Sequence, residues 1–258
     1  MLLHFFKYQG TGNDFVIVDN RDGLIQLSKE QVAILCDRRF GVGADGLMLL
    51  NKHDNYDFEM VYYNADGVLG TMCGNGGRCL TKFAFDQEIQ PNTYSFVASD
   101  GEHEAIIDAN GWIQLKMIDV HEVAFTNEAT VLNTGSPHYI KQVSGLSKYD
   151  VFTEGKNIRY NDTYSQRGIN VNFVEWNDNE LFVRTYERGV ENETFSCGTG
   201  VTAAAIAMSA NNAGHQETKI RTLGGSLLIK FNKIDAQHFT DVWLCGPASF
   251  VYEGQIII

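Results

Sequence analysis

The sequence predicts an α/β (α+β) protein made of two related halves, in each of which a curved sheet surrounds one helix that begins at a cysteine. A Cys-Gly-x-Gly motif occurs at Cys73–Gly76 and again at Cys197–Gly200, about half of the 258-residue chain apart. This spacing indicates a duplicated unit. The segment Val201–Met208 after the second motif is apolar on nearly every side, so a sheet closed around it is expected.

The first half contains short strands and two predicted helices. Ser28 and Gln31 stand three residues apart in a capping-box pattern, which predicts a helix up to about Arg38. The second helix follows the first cysteine motif and includes 80–85. Alternating apolar residues and turn-forming residues predict strands at 2–8, 15–19, 47–50, 58–62, 94–98, 103–108 and 112–117.

The second half begins at about 118–130, where the alternation of apolar residues that predicts strands becomes weaker. A helix is predicted near 149–159, and a second one follows the second cysteine motif. Strands are predicted at 130–133, 139–143, 168–174, 181–186, 218–223, 226–231, 241–245 and 249–258. Both halves are therefore rich in strands, and each has one helix that starts at a cysteine.

Composition and charge narrow the classes of protein to which the chain can belong. The net charge of −12 and the pI near 4.9 argue against nucleic acid or an anionic membrane as a partner. No apolar run approaches the roughly 18 residues that a membrane span requires. The odd number of cysteines does not suggest a disulfide scaffold, and no zinc-like spacing is present. An acidic, soluble protein of the reducing cytoplasm is expected.

The two cysteine motifs suggest paired reactive thiols. A thiol at a helix N-terminus lies at the positive end of the helix dipole, which favours the thiolate. The neighbouring glycines leave backbone N–H groups accessible to a carboxylate. The alternative for Cys73 and Cys197 is packing in the core. For Cys36, Cys79 and Cys245, burial is the expected role because none of them precedes Gly-x-Gly.

These motifs resemble those of the diaminopimelate epimerases, a family of cofactor-independent amino-acid racemases. The matching segments follow the family order and span nearly the whole chain: Gly12–Phe15, Asn64–Gly67, Cys73–Gly76, Gly168–Asn170, Glu187–Gly189 and Cys197–Gly200. Related proline racemases usually carry histidine in the place of Asn75. That difference favours the diaminopimelate branch.

The resemblance implies two pseudo-symmetric halves, each a mixed, barrel-like sheet around a central helix. The N-terminal half would comprise 1–118 together with a last strand at 248–258, and the C-terminal half would comprise 119–247. The active site is expected between them. The resemblance implies no cofactor and no metal, and a small amino-acid substrate. A homodimer is compatible with the sequence, which does not determine the oligomeric state.

The resemblance also implies an activity and a set of site residues. The reaction would interconvert LL- and meso-2,6-diaminopimelate, in the biosynthesis of lysine and peptidoglycan precursors. Cys73 and Cys197 would be the two catalytic groups, one ionised and one protonated. The implied substrate-binding residues are Asn13, Asn64, Gly74, Asn75, Ser136, Asn170, Glu187, Arg188, Gly198 and Thr199. His138 would either donate to the substrate or pack after Pro137.

The sequence shows two departures from the family pattern, and it leaves alternatives open for some residue roles and for the function. Ser136 stands where the family commonly has asparagine, and the segment 189–196 is one residue longer than usual. Asn64 could serve a turn, and the Glu187–Arg188 pair could be a surface ion pair. The alternative functions are a thiol redox protein in which the two cysteines form a disulfide, a non-catalytic amino-acid binder, and a proline racemase.

Overall fold

A computed structural model describes residues 1–258. The chain divides into two compact units, one comprising 1–115 and 246–258 and the other comprising 116–245. Strands dominate both units, and each contains two α-helices. None of the helices combines the length and apolar character needed to cross a membrane.

The first unit contains an outer and an inner helix, α1 (Lys29–Cys36) and α2 (Gly74–Asp86). Its strands are β1 (Leu2–Gly10), β2 (Asn13–Asn20), β3 (Gly46–Asn51), β4 (Phe58–Asn64), β5 (Thr93–Ala98), β6 (Gly101–Ile107), β7 (Ile113–Lys116) and β17 (Ser249–Ile257). They pair in the order β17–β1–β2–β3–β4–β5–β6–β7. The pairs β2–β3 and β4–β5 are parallel and the others are antiparallel. The helices α1 and α2 form the two parallel crossovers.

The second unit contains the corresponding helices α3 (Val151–Arg159) and α4 (Gly198–Ala207). Its strands are β8 (Val123–Phe125), β9 (Thr130–Asn133), β10 (Pro137–Gln142), β11 (Asn170–Asn177), β12 (Glu180–Glu187), β13 (Asn192–Thr194), β14 (Gly214–Thr222), β15 (Gly225–Lys233) and β16 (Phe239–Gly246). Neither the very short β8 and β13 nor a 3₁₀ turn at Leu146–Lys148 was predicted, because three residues carry too little periodicity to detect.

The second unit repeats the topology of the first. Its strands pair in the order β8–β9–β10–β11–β12–β14–β15–β16, and only β10–β11 and β12–β14 are parallel. The helices α3 and α4 again form the two parallel crossovers, and β13 adds to β12. The duplication predicted from the cysteine motifs is therefore confirmed in the fold. The prediction of a closed sheet is wrong, because in each unit the pairing runs as an open series that curves over the inner helix.

Successive side chains of a strand point to opposite faces of the sheet, and each face packs against one of the unit's two helices. Val16 and Val18 on β2 pack with Val32 and Leu35 of the outer helix α1. Phe15 points to the opposite face, where it approaches Gly76 of the inner helix α2. Period-2 alternation thus supplies one face for each helix. The predicted capping box of α1 is confirmed, since Ser28 and Gln31 each accept the other's backbone N–H.

The second unit is layered in the same way. The outer helix α3 places Val151 against Val171 and Phe173 of β11. The inner helix α4 buries Gly198 and all of 200–206, as its uniformly apolar sequence predicts. Each inner helix is therefore held on several sides, and its first residues, including the cysteine turn, are fixed by the sheet around it.

Candidate active site

Each cysteine motif places its thiol at the N-cap of an inner helix. Cys73 precedes α2 with extended backbone angles, and Cys197 precedes α4 in the same conformation. The Cys73 carbonyl accepts the Gly77 N–H at 2.7 Å, and the Cys197 carbonyl accepts the Val201 N–H at 2.9 Å. The first N–H groups of a helix have no partners within it. Each motif thus offers a thiol and backbone donors at the positive end of a dipole, an arrangement suited to thiolates and carboxylates.

In the first unit, the side chain next to the thiol is an asparagine amide. The Cys73 Sγ lies 3.7 Å from Asn13 Oδ1, which also accepts Asn75 Nδ2 at 3.2 Å. Asn75 Oδ1 in turn accepts Arg78 Nη2 at 3.1 Å. Cys73 is half-buried, whereas Asn75 and Arg78 are buried. The structure therefore brings together four of the candidate site residues: Asn13, Cys73, Gly74 and Asn75.

Behind Asn13 lies a group of paired charges. Asn13 Nδ2 donates to Asp45 Oδ2 at 2.7 Å, and Arg38 Nη2 bridges Asp45 and Asp14, each at 2.7 Å. Lys7 Nζ, nearly fully buried, lies 2.7 Å from the other Asp14 oxygen. Burial alone would raise the pKa of Asp14, but the hydrogen bonds from Arg38 and Lys7 outweigh it and hold that pKa well below its usual range.

Asn64 lies at the end of β4. It is exposed, and its Nδ2 donates to the Val68 carbonyl at 3.4 Å. Its own carbonyl accepts the Gly67 N–H at 2.9 Å in a turn where Gly67 has φ of 79°. These contacts match the turn-forming alternative for Asn64.

In the second unit, the side chain next to the thiol carries a hydroxyl group. Cys197 is buried, and its Sγ lies 3.5 Å from the Thr199 hydroxyl. Thr134 supports the helix start by donating its hydroxyl to the Thr199 carbonyl at 2.8 Å. An added Cβ on Gly200 would lie 2.4 Å from Asn172 Oδ1 and 3.3 Å from the Cys197 sulfur. The motif therefore needs glycine there for space.

His138 is fully buried on β10, and its hydrogen bonds define its tautomer. Asn172 Nδ2 donates to the Tyr139 carbonyl at 3.3 Å and lies 3.1 Å from His138 Nδ1. The imidazole Nδ1 is therefore the acceptor, and Nε2 carries the proton without a partner in the protein. Burial and the nearby Arg188 charge lower the pKa of His138 to about 3, so the ring is neutral.

The ends of β11 and β12 place Arg188 near this histidine. The Asn170 amide donates to the Pro137 carbonyl at 3.1 Å and accepts the Arg188 N–H at 2.9 Å. A Cβ at Gly168, where φ is 73°, would lie 2.7 Å from Arg188 Cδ. Glycine at this position lets the arginine side chain pass close to the backbone.

The two neighbouring predicted residues are held mainly by local contacts. Glu187 accepts the Thr194 hydroxyl at 2.8 Å, across the β12–β13 pair. The half-buried Ser136 accepts the Thr134 N–H at 3.2 Å through its carbonyl. The segment 189–196 contains the short strand β13, whose Thr194 hydroxyl holds the Glu187 carboxylate.

The other potential reactive groups lie outside these two sites. Burial raises the pKa of Cys36 to about 11 and raises the pKa of Cys79 further, so both remain thiols. Cys245 is buried as well. No group of three or more His, Cys, Asp and Glu side chains is arranged to hold a metal ion.

Sequence reasoning did not single out three residues that support the site. Arg78 directly precedes the apolar residues Cys79 and Leu80 in α2, and no local pattern marks it as a buried partner of the site. Asn172 shares a strand face with Asn170 by period-2 alternation. Asp45 contacts Asn13 across 32 positions of sequence, and no local pattern predicts such a contact.

Comparisons with solved structures agree on the fold. The chain resembles a phenazine biosynthesis protein of the PhzF family from Bacillus anthracis, with a TM-score of 0.76 and 13% identity over 100% of both chains. It also resembles a hydroxyproline epimerase from Agrobacterium vitis, with a TM-score of 0.68 and 13% identity over 99% of this chain and 92% of that one. The architecture is therefore the fold shared by proline racemase-like epimerases and PhzF proteins.

Comparisons of sequence are more specific. A diaminopimelate epimerase family model matches residues 5–121 and 130–251. The diaminopimelate epimerase of Flavobacterium psychrophilum is 49% identical over 98% of this chain and 100% of its own length. That of Chlorobaculum tepidum is 42% identical over 96% and 99%. The chain belongs to the diaminopimelate epimerase family and is an isomerase of the epimerase class.

Proposed function

We propose that this protein interconverts LL- and meso-2,6-diaminopimelate without a cofactor, in the cytoplasmic route to lysine and peptidoglycan precursors. The observation that carries the proposal is the repeated N-cap cysteine, one at the start of each inner helix. The named relatives match nearly the whole chain at up to 49% identity, which supports the choice of substrate.

Epimerisation requires one group to remove the α-proton and a second group to return a proton on the opposite face. We assign these roles to Cys73 and Cys197, one as thiolate and one as thiol, with roles exchanged in the reverse direction. The dipole of each helix favours the thiolate form, while Asn13 Oδ1 and the Thr199 hydroxyl provide polar neighbours. A pair of thiols acting on one carbon titrates as a unit.

Removing the α-proton creates negative charge on the α-carboxylate, and this charge needs stabilisation. The N–H groups of Gly74 and Asn75 in one motif, and of Gly198 and Thr199 in the other, are donors of the required kind. Preorganised backbone donors of this type typically contribute about 10²–10³ in rate each. In the proposal they take over the role that an electron-withdrawing cofactor has in other racemases.

The second amino-acid end of diaminopimelate needs its own contacts. Arg188 suits a carboxylate because guanidinium binds it through two parallel hydrogen bonds. His138 presents a buried, protonated Nε2 without a protein partner, so a substrate oxygen is a fitting acceptor. We assign Asn64, Ser136 and Asn170 to this distal end, and Asn13 and Glu187 to the ammonium groups.

Incubation with LL-diaminopimelate in D₂O tests the proposal. At early times the meso product should carry a single deuterium, at the inverted α-carbon, because the new proton comes from a solvent-exchanged thiol. Parallel incubations with proline and lysine serve as controls and should show little exchange. Rapid deuteration of proline with none in diaminopimelate would contradict the proposal.

A further inference from the structure

The orientation of the Asn13 amide is determined by a fixed charge. Asp45 Oδ2 lies 2.7 Å from Asn13 Nδ2 and 3.2 Å from the Asp14 N–H. A carboxylate only accepts hydrogen bonds, so the Asn13 nitrogen faces Asp45 and the Asn13 oxygen faces away from it. The reverse orientation would place two acceptor oxygens against each other at that distance.

A second charge determines the orientation of Asn75. Arg78 Nη2 lies 3.1 Å from Asn75 Oδ1, and a guanidinium only donates. The Asn75 nitrogen therefore points the other way, and it donates to Asn13 Oδ1 at 3.2 Å. The chain Asp45–Asn13–Asn75–Arg78 has a single consistent direction, set by an anion at one end and a cation at the other.

This direction decides which atom faces the first catalytic thiol. Asn13 Oδ1 is the atom 3.7 Å from Cys73 Sγ, so the thiol has an acceptor beside it. An acceptor favours the protonated thiol, whereas an amide nitrogen in the same place would favour the thiolate. We propose that Asp45 is a positioning residue that holds the Asn13 oxygen toward Cys73 and so sets how much of Cys73 is protonated.

The inference rests on the proposed function, in which Cys73 must serve as an acid in one direction and a base in the other. The helix dipole favours the thiolate, and the pinned Asn13 oxygen opposes it. Asp45 is itself exposed, and its contact with the site runs through the Asn13 amide.

Asp45→Asn tests the inference. In the wild-type protein, Arg38 donates to Asp45 Oδ1 at 2.7 Å. In the variant, the remaining side-chain oxygen would keep this bond to Arg38. The new NH₂ group would then face the NH₂ group of Asn13. Only the Asn75 amide would then favour the present orientation of Asn13, so the Asn13 nitrogen should face Cys73 for part of the time. We expect the pH midpoint for alkylation of Cys73 by iodoacetamide to fall by up to about one pH unit, making alkylation at pH 7 about 3- to 10-fold faster.

The readout is specific because the tryptic peptide His53–Arg78 contains Cys73 as its only cysteine. Asp57→Asn is the matched control, since Asp57 likewise accepts a side-chain amide, from Gln90 at 2.9 Å, and a backbone N–H, from Ser95 at 2.8 Å. Asp57→Asn and the conservative Asp45→Glu should keep the wild-type midpoint.

An unchanged midpoint in folded Asp45→Asn would overturn the inference, and so would an equal shift in Asp57→Asn. If Asp45→Asn does not fold, Asp45→Ala decides in its place, because it removes the acceptor and should also lower the midpoint. Alkylation needs no turnover. A wild-type protein inactive on diaminopimelate would therefore contradict the proposed function. The alkylation result would still decide whether Asp45 positions Asn13.

Discussion

The two units share one topology, yet they surround their cysteines with different chemistry. In the first unit, Cys73 is half-buried beside an amide that is tied to the charges of Asp45 and Arg78. In the second unit, Cys197 is buried beside the Thr199 hydroxyl, and the buried His138 of the same unit is neutral. The duplicated backbone therefore supplies the same helix N-terminus twice, and the side chains around it make the two thiols unequal.

In the proposed mechanism the two thiols hold one proton between them, and unequal surroundings suit that arrangement. Two identical environments would give both thiols the same tendency to ionise. Unequal surroundings favour one thiolate and one thiol at a given pH, as a reaction that removes and returns a proton requires. Substitutions at matched positions of the two units test whether the surroundings of the two thiols differ in this way.

The largest effect is expected from the cysteines themselves. Cys73→Ala and Cys197→Ala should each lower epimerisation by about 10³-fold or more, because each variant lacks one of the two proton-transfer groups. Cys36→Ala and Cys79→Ala, which change buried thiols outside the site, should keep most activity. Turnover should be measured by conversion of LL- to meso-diaminopimelate, with thermal unfolding as a check of the fold. Near-wild-type turnover by Cys73→Ala or Cys197→Ala would show that one unit alone performs the chemistry.

The next effect concerns the strand that leads to each cysteine motif. It ends at Asn64 in the first unit but at Glu187, followed by Arg188, in the second. Arg188→Lys keeps the charge and loses the planar fork, so kcat/KM for diaminopimelate should fall by about 10²-fold or more. Lysine, which lacks the distal carboxylate, should be a very poor substrate for both the wild type and the variant.

Arg21→Lys is the control for this change, because Arg21 pairs with Asp19 at the surface through two hydrogen bonds. It should leave kcat/KM unchanged. Racemisation of diaminopimelate, lysine and proline should be measured side by side. Comparable rates on proline would contradict the specificity assigned to Arg188.

A smaller effect, on stability, should distinguish the matched glycines Gly76 and Gly200. A Cβ at Gly200 would meet Asn172 Oδ1 at 2.4 Å, and that amide is held by Thr185 and the Tyr139 carbonyl. Gly200→Ala should therefore lower the free energy of unfolding by about 2–3 kcal/mol.

In contrast, a Cβ at Gly76 would meet the flexible Met48 sulfur at 3.2 Å. Alanine also favours the helix by about 1 kcal/mol, so Gly76→Ala should remain within about 1 kcal/mol of wild type. Urea unfolding of both variants measures the contrast. Equal costs would mean that the two motifs are packed alike.

Features that depend on a short local sequence pattern could be predicted from the sequence. The N-cap cysteines, the capping box at Ser28 and the apolar helix α4 each depend on residues a few positions apart, and all are present. The supporting roles of Asp45 and Asn172 could not be predicted, because they depend on which strands are neighbours in the sheet. Asn172 gains its role from His138 on the adjacent parallel strand, and only the assembled sheet brings those two side chains together.

The smallest effect is expected from acid, and it separates the charged surroundings of the first unit from the neutral surroundings of the second. Burial and Arg188 lower the pKa of His138 from 6.5 to about 3, so the folded protein keeps this ring neutral while the unfolded chain binds a proton below pH ~6.5. The contribution of His138 to the free energy of unfolding is therefore full above pH ~6.5. It should fall by about 1.4 kcal/mol per pH unit as the pH drops toward 3.

Asp14 contributes no slope in this range, since its lowered pKa gives a stabilisation that is lost only below pH ~4. Between pH 7 and 5, Asp14→Asn should therefore run parallel to wild type at a constant offset. His138→Gln removes the titrating ring, so its gap from wild type should narrow by about 1 kcal/mol between pH 6.5 and 5.5. Urea unfolding of the three proteins across this range measures both slopes. A wild-type slope that His138→Gln leaves unchanged would mean that the acid sensitivity arises outside the second unit's buried histidine.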